Sequence, residues 1–221
     1  MWPDPGLKRP VVFAGPSLAR LSPDVRERIE LRPPARRGEL AALLQRPPGR
    51  AVLIDGLFGQ AMAVTPTECR QLLTAGWSLW GASSMGALRA SELWSVGMIG
   101  VGEVYGMLRA DVVVADDEVA VAYHPDTHQE LTASLVHVRA LLRHAERKGL
   151  PHEQVLKAFS AARQLYWLER SWARVFLAWK AEGLPPALIE QVKGMCQELD
   201  HHPKVRDAEA VVHLATAGFW P

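Results

Sequence analysis

The sequence has few cysteines and almost no net charge. Cys69 and Cys196 are its only cysteines among 221 residues, and they form neither a C-x-x-C pair nor a zinc-ligand spacing. A disulfide-rich scaffold and a structural zinc site are therefore excluded. The 25 basic side chains are balanced by 24 acidic ones, which leaves a formal charge of +1. Because non-specific nucleic-acid binding needs a strongly basic face, this balance predicts no nucleic-acid partner.

Long hydrophobic runs are also missing. Stretches such as Ala51–Ile54 and Trp77–Leu88 fall short of the roughly 18 apolar residues that a membrane span needs. The first residues, Met1–Pro5, lack the basic-then-apolar order of a signal peptide. We therefore expect a cytoplasmic protein that does not contact a membrane. The apolar fraction of 48% and the charged fraction of 22% are those of a globular chain, which excludes a disordered one.

Three short apolar runs, each followed by a turn signal, organise the first half of the chain. The runs are Val11–Ala14, Ala51–Ile54 and Trp77–Trp80. The turns that follow are Gly15-Pro16-Ser17, Asp55-Gly56-Leu57-Phe58-Gly59 and Gly81-Ala82-Ser83-Ser84-Met85-Gly86. Because the first two runs lack polar alternation, they are typical of strands that are buried on both faces of a sheet.

Helical patterns alternate with these runs. They cover Gly38–Gln45, Pro66–Ala75 and Ala87–Trp94, and the second has Thr65 as N-cap with Glu68 at the capping-box position. Strand, loop and helix repeated in this order predict a parallel sheet with flanking helices. We therefore assign residues 1–125 to an α/β core.

The second half is helical in pattern. Helices are predicted over Leu131–Glu146, Pro151–Glu182 and Ala187–Leu199, with a further one near Asp207–Leu214. Residues 126–221 are therefore expected to form an α-helical C-terminal region packed on the α/β core. Five apolar residues of the second helix share one face: Leu165, Leu168, Trp172, Phe176 and Trp179. Such a face either packs into the core or, if exposed, binds a partner.

A candidate site follows from the expected sheet, because ligands of parallel sheets bind beyond the carboxyl ends of the strands. The loops that carry Gly15 and Ser17, Asp55 and Gly56, and Ser84 should meet there. Ser84 lies between a strand and a helix with small residues two positions before and after it, which is the pattern of a nucleophile elbow. The Met85 amide and the loop at residues 55–59 would then supply oxyanion donors. The alternative is that Ser83 or Ser84 only caps the following helix.

A serine nucleophile needs a base, and eight histidines are available. His124 is the first histidine after the acidic run Asp116–Glu118, and it ends an apolar segment, so it is the predicted base. The carboxylates and histidines have no metal-ligand spacing, so no metal is predicted. The glycine-rich stretch Gly97–Gly102 follows a helix rather than a strand, so it lacks the context of a dinucleotide or phosphate loop, and no cofactor is predicted.

Several motifs together resemble the TfuA-like proteins. They are Val12–Leu18, Leu53–Gln60, Gly81–Leu93, Gly97–Gly102 and Asp116–Val121, in this order over roughly residues 10–145. The resemblance implies an auxiliary role in peptide or protein thioamidation beside a YcaO-type ATP-dependent cyclodehydratase, which activates an amide oxygen with ATP. It also implies as partners a ubiquitin-like sulfur carrier protein and a precursor peptide or protein substrate. The chain itself has no ATP-binding motif, which agrees with an auxiliary role.

The resemblance and the serine turn can be joined in one hypothesis. Ser84 would attack the thiocarboxylate at the C-terminus of the sulfur carrier and expel sulfide beside the YcaO enzyme. His124 would act as base, Asp117 or Glu118 would orient it, and Arg89 would bind the carboxylate or the departing anion. Arg89 could instead only hold the Asp116–Glu118 loop. The rival hypothesis is a non-catalytic adaptor or activator that docks on the YcaO enzyme.

Cys69 supports a third hypothesis. It falls in the first turn of the helix predicted at Pro66–Ala75, where the helix dipole would lower the pKa of its thiol and a persulfide could be carried. The alternative is a small buried apolar residue, which is the more common state of a cysteine on an amphipathic helix.

Overall fold

The computed structural model describes residues 9–59 and 62–217, and Gln60, which ends one of the quoted motifs, lies outside them. These residues divide into two compact units by their contacts. The first, here called the sheet unit, comprises residues 9–113 and 204–217. The second, here called the helical unit, comprises residues 114–203.

The sheet unit is built on five parallel strands, as the strand–loop–helix pattern predicts. The strands are β1 (Val11–Phe13), β2 (Glu30–Arg32), β3 (Arg50–Leu53), β4 (Ser78–Ala82) and β5 (Ile99–Val101). Their order in the sheet is β2-β1-β3-β4-β5, and every neighbouring pair is parallel. The sequence predicted β1, β3 and β4 but neither edge strand, because β2 is half-exposed and charged and β5 contains glycine.

Helices cover both faces of the sheet. They are α1 (Pro23–Glu27), α2 (Glu39–Ala42), α3 (Pro66–Thr74), α4 (Met85–Leu93) and α5 (Glu103–Arg109). Along β1 and β3, alternate side chains belong to two different apolar clusters, with Val11 and Leu53 in one and Val12 and Val52 in the other. This double burial explains why the strands read as continuous apolar runs.

The predicted start of α3 is confirmed. The Thr65 hydroxyl accepts a hydrogen bond from the Glu68 amide at 3.2 Å, and the Glu68 carboxylate accepts one from the Thr65 amide at 2.8 Å. Gly76, just past the helix, has a φ of +86°, which glycine adopts without strain. Local sequence therefore determines both ends of this helix.

The helical unit contains α6 (Leu135–Arg147), α7 (His152–Arg163), α8 (Trp172–Ala181) and α9 (Pro186–Met195), which share one apolar core. Trp179 is fully buried in that core, and its indole N–H donates to the Ala158 carbonyl at 2.8 Å. The single helix expected over Pro151–Glu182 is wrong, because residues 164–171 are not helical. A new helix begins behind Ser171, whose hydroxyl accepts from the Arg174 amide. Leu165 and Leu168 therefore do not lie on the helix of Trp172, Phe176 and Trp179.

A last helix, α10 (Pro203–Thr216), rejoins the sheet unit. It packs on the sheet face formed by Val12, Val52 and Trp80 through Ala208 and Val212. None of the helices within the described ranges is long and apolar enough to cross a membrane.

The strand order places the candidate site. Chain connections run outward in both directions from the pair β1 and β3, and ligands bind beyond the carboxyl ends of the strands at such a switch point. Phe13 pairs with Leu53, and Leu53 pairs with Gly81, so β1, β3 and β4 end side by side. The loops that carry Gly15, Gly56 and Ser84 therefore leave the same edge of the sheet, as expected.

Candidate functional site

The serine turn between β4 and α4 has a strained backbone. Ser83 has a φ of +70°, a left-handed conformation that is uncommon for residues other than glycine. Ser84 follows with φ −117° and ψ −113°, and its amide donates to the Ala82 carbonyl at 2.9 Å. A sharp, strained turn from strand to helix is the local structure that a nucleophile elbow requires. The strained residue is Ser83, one position before the predicted nucleophile.

Close packing explains the small residues around the turn. A Cβ atom added at Gly86 would collide with the Leu53 carbonyl, and one added at Gly81 would collide with the Gly86 carbonyl. The Gly86 amide also donates to the Ile54 carbonyl at 3.1 Å. The first turn of α4 therefore packs directly against the end of β3, and there is no room for a side chain at Gly81 or Gly86.

Neither serine of the turn caps α4. The Ser84 side chain makes no capping hydrogen bond to the helix that follows it. The Ser83 hydroxyl instead donates to the Lys204 carbonyl at 2.9 Å. Both side chains are buried, with 2% of Ser84 and none of Ser83 exposed. Capping of α4 by the Ser84 side chain is therefore wrong, and the Ser83 hydroxyl binds α10 instead.

The Asp55 carboxylate joins the loops after β1 and β3. One of its oxygens accepts from the amides of Gly15 and Ser17 at 2.8 and 3.0 Å. The other accepts from the Ser17 hydroxyl at 2.6 Å. Because Asp55 is only 3% exposed, these bonds lie in a low-dielectric environment where their loss is costly.

The Asp55–Gly56 loop also contacts the start of α4. A Cβ atom at Gly56 would lie 2.9 Å from the Met85 Cγ atom and 3.1 Å from the Ala35 carbonyl oxygen. Glycine is therefore required for this close approach. The structure thus brings together at one edge six of the residues that the sequence predicted for the site: Gly15, Ser17, Asp55, Gly56, Ser84 and Met85.

Arg89 lies in α4 and binds one residue of this helix and one residue of the loop before α3. Its Nε donates to the Val64 carbonyl at 2.8 Å, and its guanidinium pairs with Glu92. These contacts tie α4 to the loop before α3. The predicted anion-binding role of Arg89 would use the remaining guanidinium surface.

The acidic run Asp116–Glu118 lies in the helical unit as a short 3-10 turn. Asp117 pairs with Arg170 at 3.1 Å, and the Arg170 guanidinium also donates to the Asp117 carbonyl at 3.2 Å. Burial lowers the pKa of Arg170, against the opposing effect of Asp117, and its side chain is fully buried. Glu118, with 2% exposed, pairs with Arg139 at 2.7 Å. Both carboxylates therefore bind arginines.

His124 lies in a tight chain reversal of the helical unit. A single antiparallel bridge joins Tyr123 to Glu130, and the His124 amide donates to the Gln129 carbonyl at 2.9 Å. The His124 Nδ1 accepts from the amides of Asp126 and Thr127 at 3.3 and 3.4 Å. Backbone amides therefore orient its ring.

Lys204 and Asp207, both on α10, are the residues at the serine edge that sequence reasoning missed. Lys204 is fully buried, and its carbonyl binds Ser83. Asp207 accepts from the amides of Glu103 and Val104, both at 2.8 Å. Burial raises the pKa of Asp207 to about 6, although these two hydrogen bonds oppose the shift. The only sequence signal was a helical pattern that starts with a charged residue, which by itself indicates a solvent-exposed helix.

Cys69 does not fit the persulfide hypothesis. Burial raises the pKa of its thiol to about 12, and its side chain is fully buried between α3 and the sheet. The expected lowering by the helix dipole is wrong, because desolvation of the thiolate outweighs it. Cys69 is a small apolar core residue.

Comparison with known proteins bears on the central part of the chain. A family model described as TfuA-like protein matches residues 55–171, slightly more than half of the 221 residues. The match includes Asp55, Ser84, Arg89, Asp117 and His124. No curated protein is found to match the chain. Within the described ranges, the histidine, cysteine and carboxylate side chains form no cluster of three or more that could hold a metal ion.

Proposed function

The chain belongs to the TfuA-like family, and on this basis we propose that it is an auxiliary protein for YcaO-dependent thioamide formation. The family is associated with thioamide formation and is known as a partner of YcaO-type proteins. In this proposal the partners are a YcaO-type ATP-dependent cyclodehydratase, a ubiquitin-like sulfur carrier protein, and the peptide or protein that is modified. The reaction assigned to this chain is the release of sulfide from the carrier.

The serine turn carries the proposal. Ser84 follows a residue with positive φ at the end of a central strand, and a helix begins directly after it. This geometry suits attack by the Ser84 hydroxyl on the thiocarboxylate carbon of the carrier's C-terminus, which forms an acyl-serine and releases hydrosulfide. Water then hydrolyses the ester and returns the carrier as a carboxylate.

Backbone amides would stabilise the negative charge that develops on the carbonyl oxygen. Met85 is the first residue of α4, and its amide belongs to the helix N-terminus, where donors are aimed outward. The Gly56 loop lies against the Met85 side chain and is fixed by Asp55. The amides of Asp55 and Leu57 already donate to backbone carbonyls, so the loop's oxyanion donor in this proposal is the Gly56 amide. Rigid donors of this kind stabilise an oxyanion without reorganisation during the reaction.

Burial of Ser84 supports the alternative of a non-catalytic adaptor. Only 2% of its side chain is exposed, so a carrier tail reaches the hydroxyl only if the surrounding loops move. An adaptor that docks on the YcaO enzyme through the same loops needs no such access. The two functions differ in whether the Ser84 hydroxyl itself is required.

A reconstituted thioamidation reaction with Ser84→Ala separates the two functions. With a thiocarboxylated carrier as sulfur source, the proposal predicts loss of product by at least about 100-fold, because removing a nucleophile typically costs several orders of magnitude. With added sulfide instead of carrier, the same variant should support wild-type product formation. Ser91→Ala is the matched control, since Ser91 lies on the same helix and binds only the Leu88 carbonyl. If Ser84→Ala works equally well with both sulfur sources, the chain is an adaptor.

A further inference from the structure

Helix α10 begins directly beside the serine turn. The carbonyl of Lys204, its second residue, accepts the hydrogen bond of the Ser83 hydroxyl at 2.9 Å. Ser83 is fully buried and is the residue that carries the strained φ of the turn. The position of Lys204 is therefore coupled to the backbone that presents Ser84.

A second contact fixes the first turn of α10 at the same edge. The two oxygens of Asp207 accept from the Glu103 and Val104 amides at the start of α5, which follows β5. Gly102 makes room for this carboxylate, because a Cβ atom there would collide with it. The first turn of α10 is thus hydrogen-bonded both to the turn that follows β4 and to the start of α5, which follows β5.

The side chain of Lys204 stays inside the protein. It has no exposed surface, although lysine is almost never fully buried and normally extends its ammonium group to water. Side chains on a helix tilt toward its N-terminus, and the N-terminus of α10 lies at the carboxyl edge of the sheet. The Lys204 side chain is therefore enclosed by the protein, and the tilt of the helix directs its stem toward the edge of the sheet that carries the serine turn.

The rest of the sheet unit offers no histidine near Ser84. His213 is the single histidine of residues 9–59, 62–113 and 204–217, and it is exposed near the end of α10. That end lies at the opposite edge of the sheet, because the neighbouring Ala215 carbonyl binds Arg50 at the start of β3. Within the sheet unit, Lys204 is a buried basic residue whose backbone carbonyl is hydrogen-bonded to the serine turn.

We propose that Lys204, rather than a histidine, is the base that activates Ser84. This inference rests on the proposed sulfide-releasing function. Serine–lysine pairs replace the histidine of the usual triad in several unrelated hydrolases, and the amine of a buried lysine is able to serve as a general base. The structure adds a specific reason, because the same helix turn that carries Lys204 also supports the backbone of the turn.

The proton and electron balance of the step is simple. The Ser84 Oγ atom forms a bond with the thiocarboxylate carbon while its proton moves to the Lys204 Nζ atom. The C–S bond then breaks, and the amine returns that proton to the departing sulfur, which leaves as hydrosulfide. One water molecule then attacks the acyl-serine and gives a proton to Lys204, the ester C–O bond breaks, and Lys204 returns that proton to the Ser84 oxygen. The carrier leaves as a carboxylate after its acid proton passes to solvent. No oxidant, reductant or cofactor enters the balance.

The test compares variants of the full chain in a sulfide-release assay with thiocarboxylated carrier alone. Lys204→Met keeps the apolar stem and most of the length of the side chain, and Lys204→Arg places a cation there that has no accessible neutral form. We expect both to lose at least about 100-fold in rate, and His124→Gln to remain within about threefold of the wild type. In Lys204→Ala, added ethylamine should restore part of the rate in proportion to its concentration, which a purely structural role of Lys204 would not produce.

The outcomes separate this inference from the proposed function. If wild type and Ser84→Ala release sulfide equally slowly, the proposed function itself fails. If wild type is active and Ser84→Ala is not, full activity of folded Lys204→Arg or Lys204→Met overturns the role of Lys204. A loss confined to His124→Gln assigns the base to His124 instead. If Lys204→Met does not fold, the Lys204→Arg rate decides, together with rescue of Lys204→Ala by ethylamine.

Discussion

At the scale of single residues, the Asp55 carboxylate holds the loops after β1 and β3 together. Its carboxylate accepts three hydrogen bonds from Gly15 and Ser17 while almost completely buried. Asp55→Ala should lower the free energy of unfolding by about 3 kcal/mol, because it leaves buried amides without an acceptor. Ser17→Ala removes only the hydroxyl bond and should cost about 1 kcal/mol. Urea unfolding of both variants measures this difference, and equal stabilities would contradict it.

Gly86 is a second residue with a sharply defined role. A methyl group there would collide with the Leu53 carbonyl, so Gly86→Ala should push α4 from the sheet and destabilise the protein by about 2–4 kcal/mol. Gly106, in the interior of α5, has open space around its Cβ position. Gly106→Ala should therefore be neutral or stabilise by up to about 1 kcal/mol. Thermal unfolding of the pair is the measurement, and a harmless Gly86→Ala would refute the packing account.

The sequence predicted some of these residues and not others, for physical reasons. The serine turn was recognisable because its need for small flanking residues is local. The importance of Lys204 was not recognisable from the sequence, since its position depends on a contact with Ser83, 121 positions away. The predicted lowering of the Cys69 pKa was wrong for a related reason. The helix dipole is a local effect that the sequence shows, whereas desolvation of the thiol depends on tertiary packing.

At the scale of elements, the contact between α10 and α5 should be sensitive to pH. Burial raises the pKa of Asp207 from its usual value of 3.8 to about 6, so folding favours its protonated form. This contribution to stability is complete below pH 3.8 and is lost as the pH rises through about 6. Between pH 4 and 7 the wild type should lose about 2–3 kcal/mol relative to Asp207→Asn.

Urea unfolding at several pH values measures this relative loss. Asp24→Asn is the control, because Asp24 is exposed on α1 and its variant should follow the wild-type profile. Parallel profiles for the wild type and Asp207→Asn would show that Asp207 keeps an ordinary affinity for protons.

The helices of the helical unit should respond to substitution according to burial rather than to residue type. Trp179 is fully buried in the core of α6–α9, and Trp179→Ala should cost about 3–5 kcal/mol. Leu177, two positions earlier on the same helix, is 64% exposed, and Leu177→Ala should change stability by less than about 0.5 kcal/mol. The melting temperatures of the two variants measure this difference, and a similar decrease for both would contradict the assignment of Trp179 to the buried face and Leu177 to the exposed face.

Helix boundaries show where local sequence suffices. The capping box of Thr65 and Glu68 defines the start of α3 through contacts between residues three positions apart, and the Glu68 carboxylate also accepts from the Gly38 amide. The break at residues 164–171 was missed because apolar spacing continues through it, while the Arg170 guanidinium binds the Leu165 carbonyl and Asp117 there. A buried arginine that satisfies non-helical carbonyls is a tertiary effect, and periodicity does not report it.

At the scale of the whole molecule, strand order could be anticipated only in part. Three buried strands with small-residue turns indicated a parallel sheet, and its carboxyl edge indicated the site. The edge strands β2 and β5 gave no such signal, because β2 is half-exposed and charged and β5 contains glycine. The return of residues 204–217 to the sheet unit, after the ninety residues of the helical unit, involves contacts that are remote in sequence. That return is what brings Lys204 to the serine turn.

A search for the acyl-enzyme tests whether Ser84 is the nucleophile that releases sulfide. Thiocarboxylated carrier is mixed with the wild-type chain, free hydrosulfide is measured, and the chain is examined by mass spectrometry after rapid acid quenching. We expect hydrosulfide release together with a chain whose mass has grown by that of the thiocarboxylated carrier less hydrogen sulfide, with the bond located at Ser84, and neither signal in Ser84→Ala. Hydrosulfide released at the wild-type rate by Ser84→Ala would contradict the account.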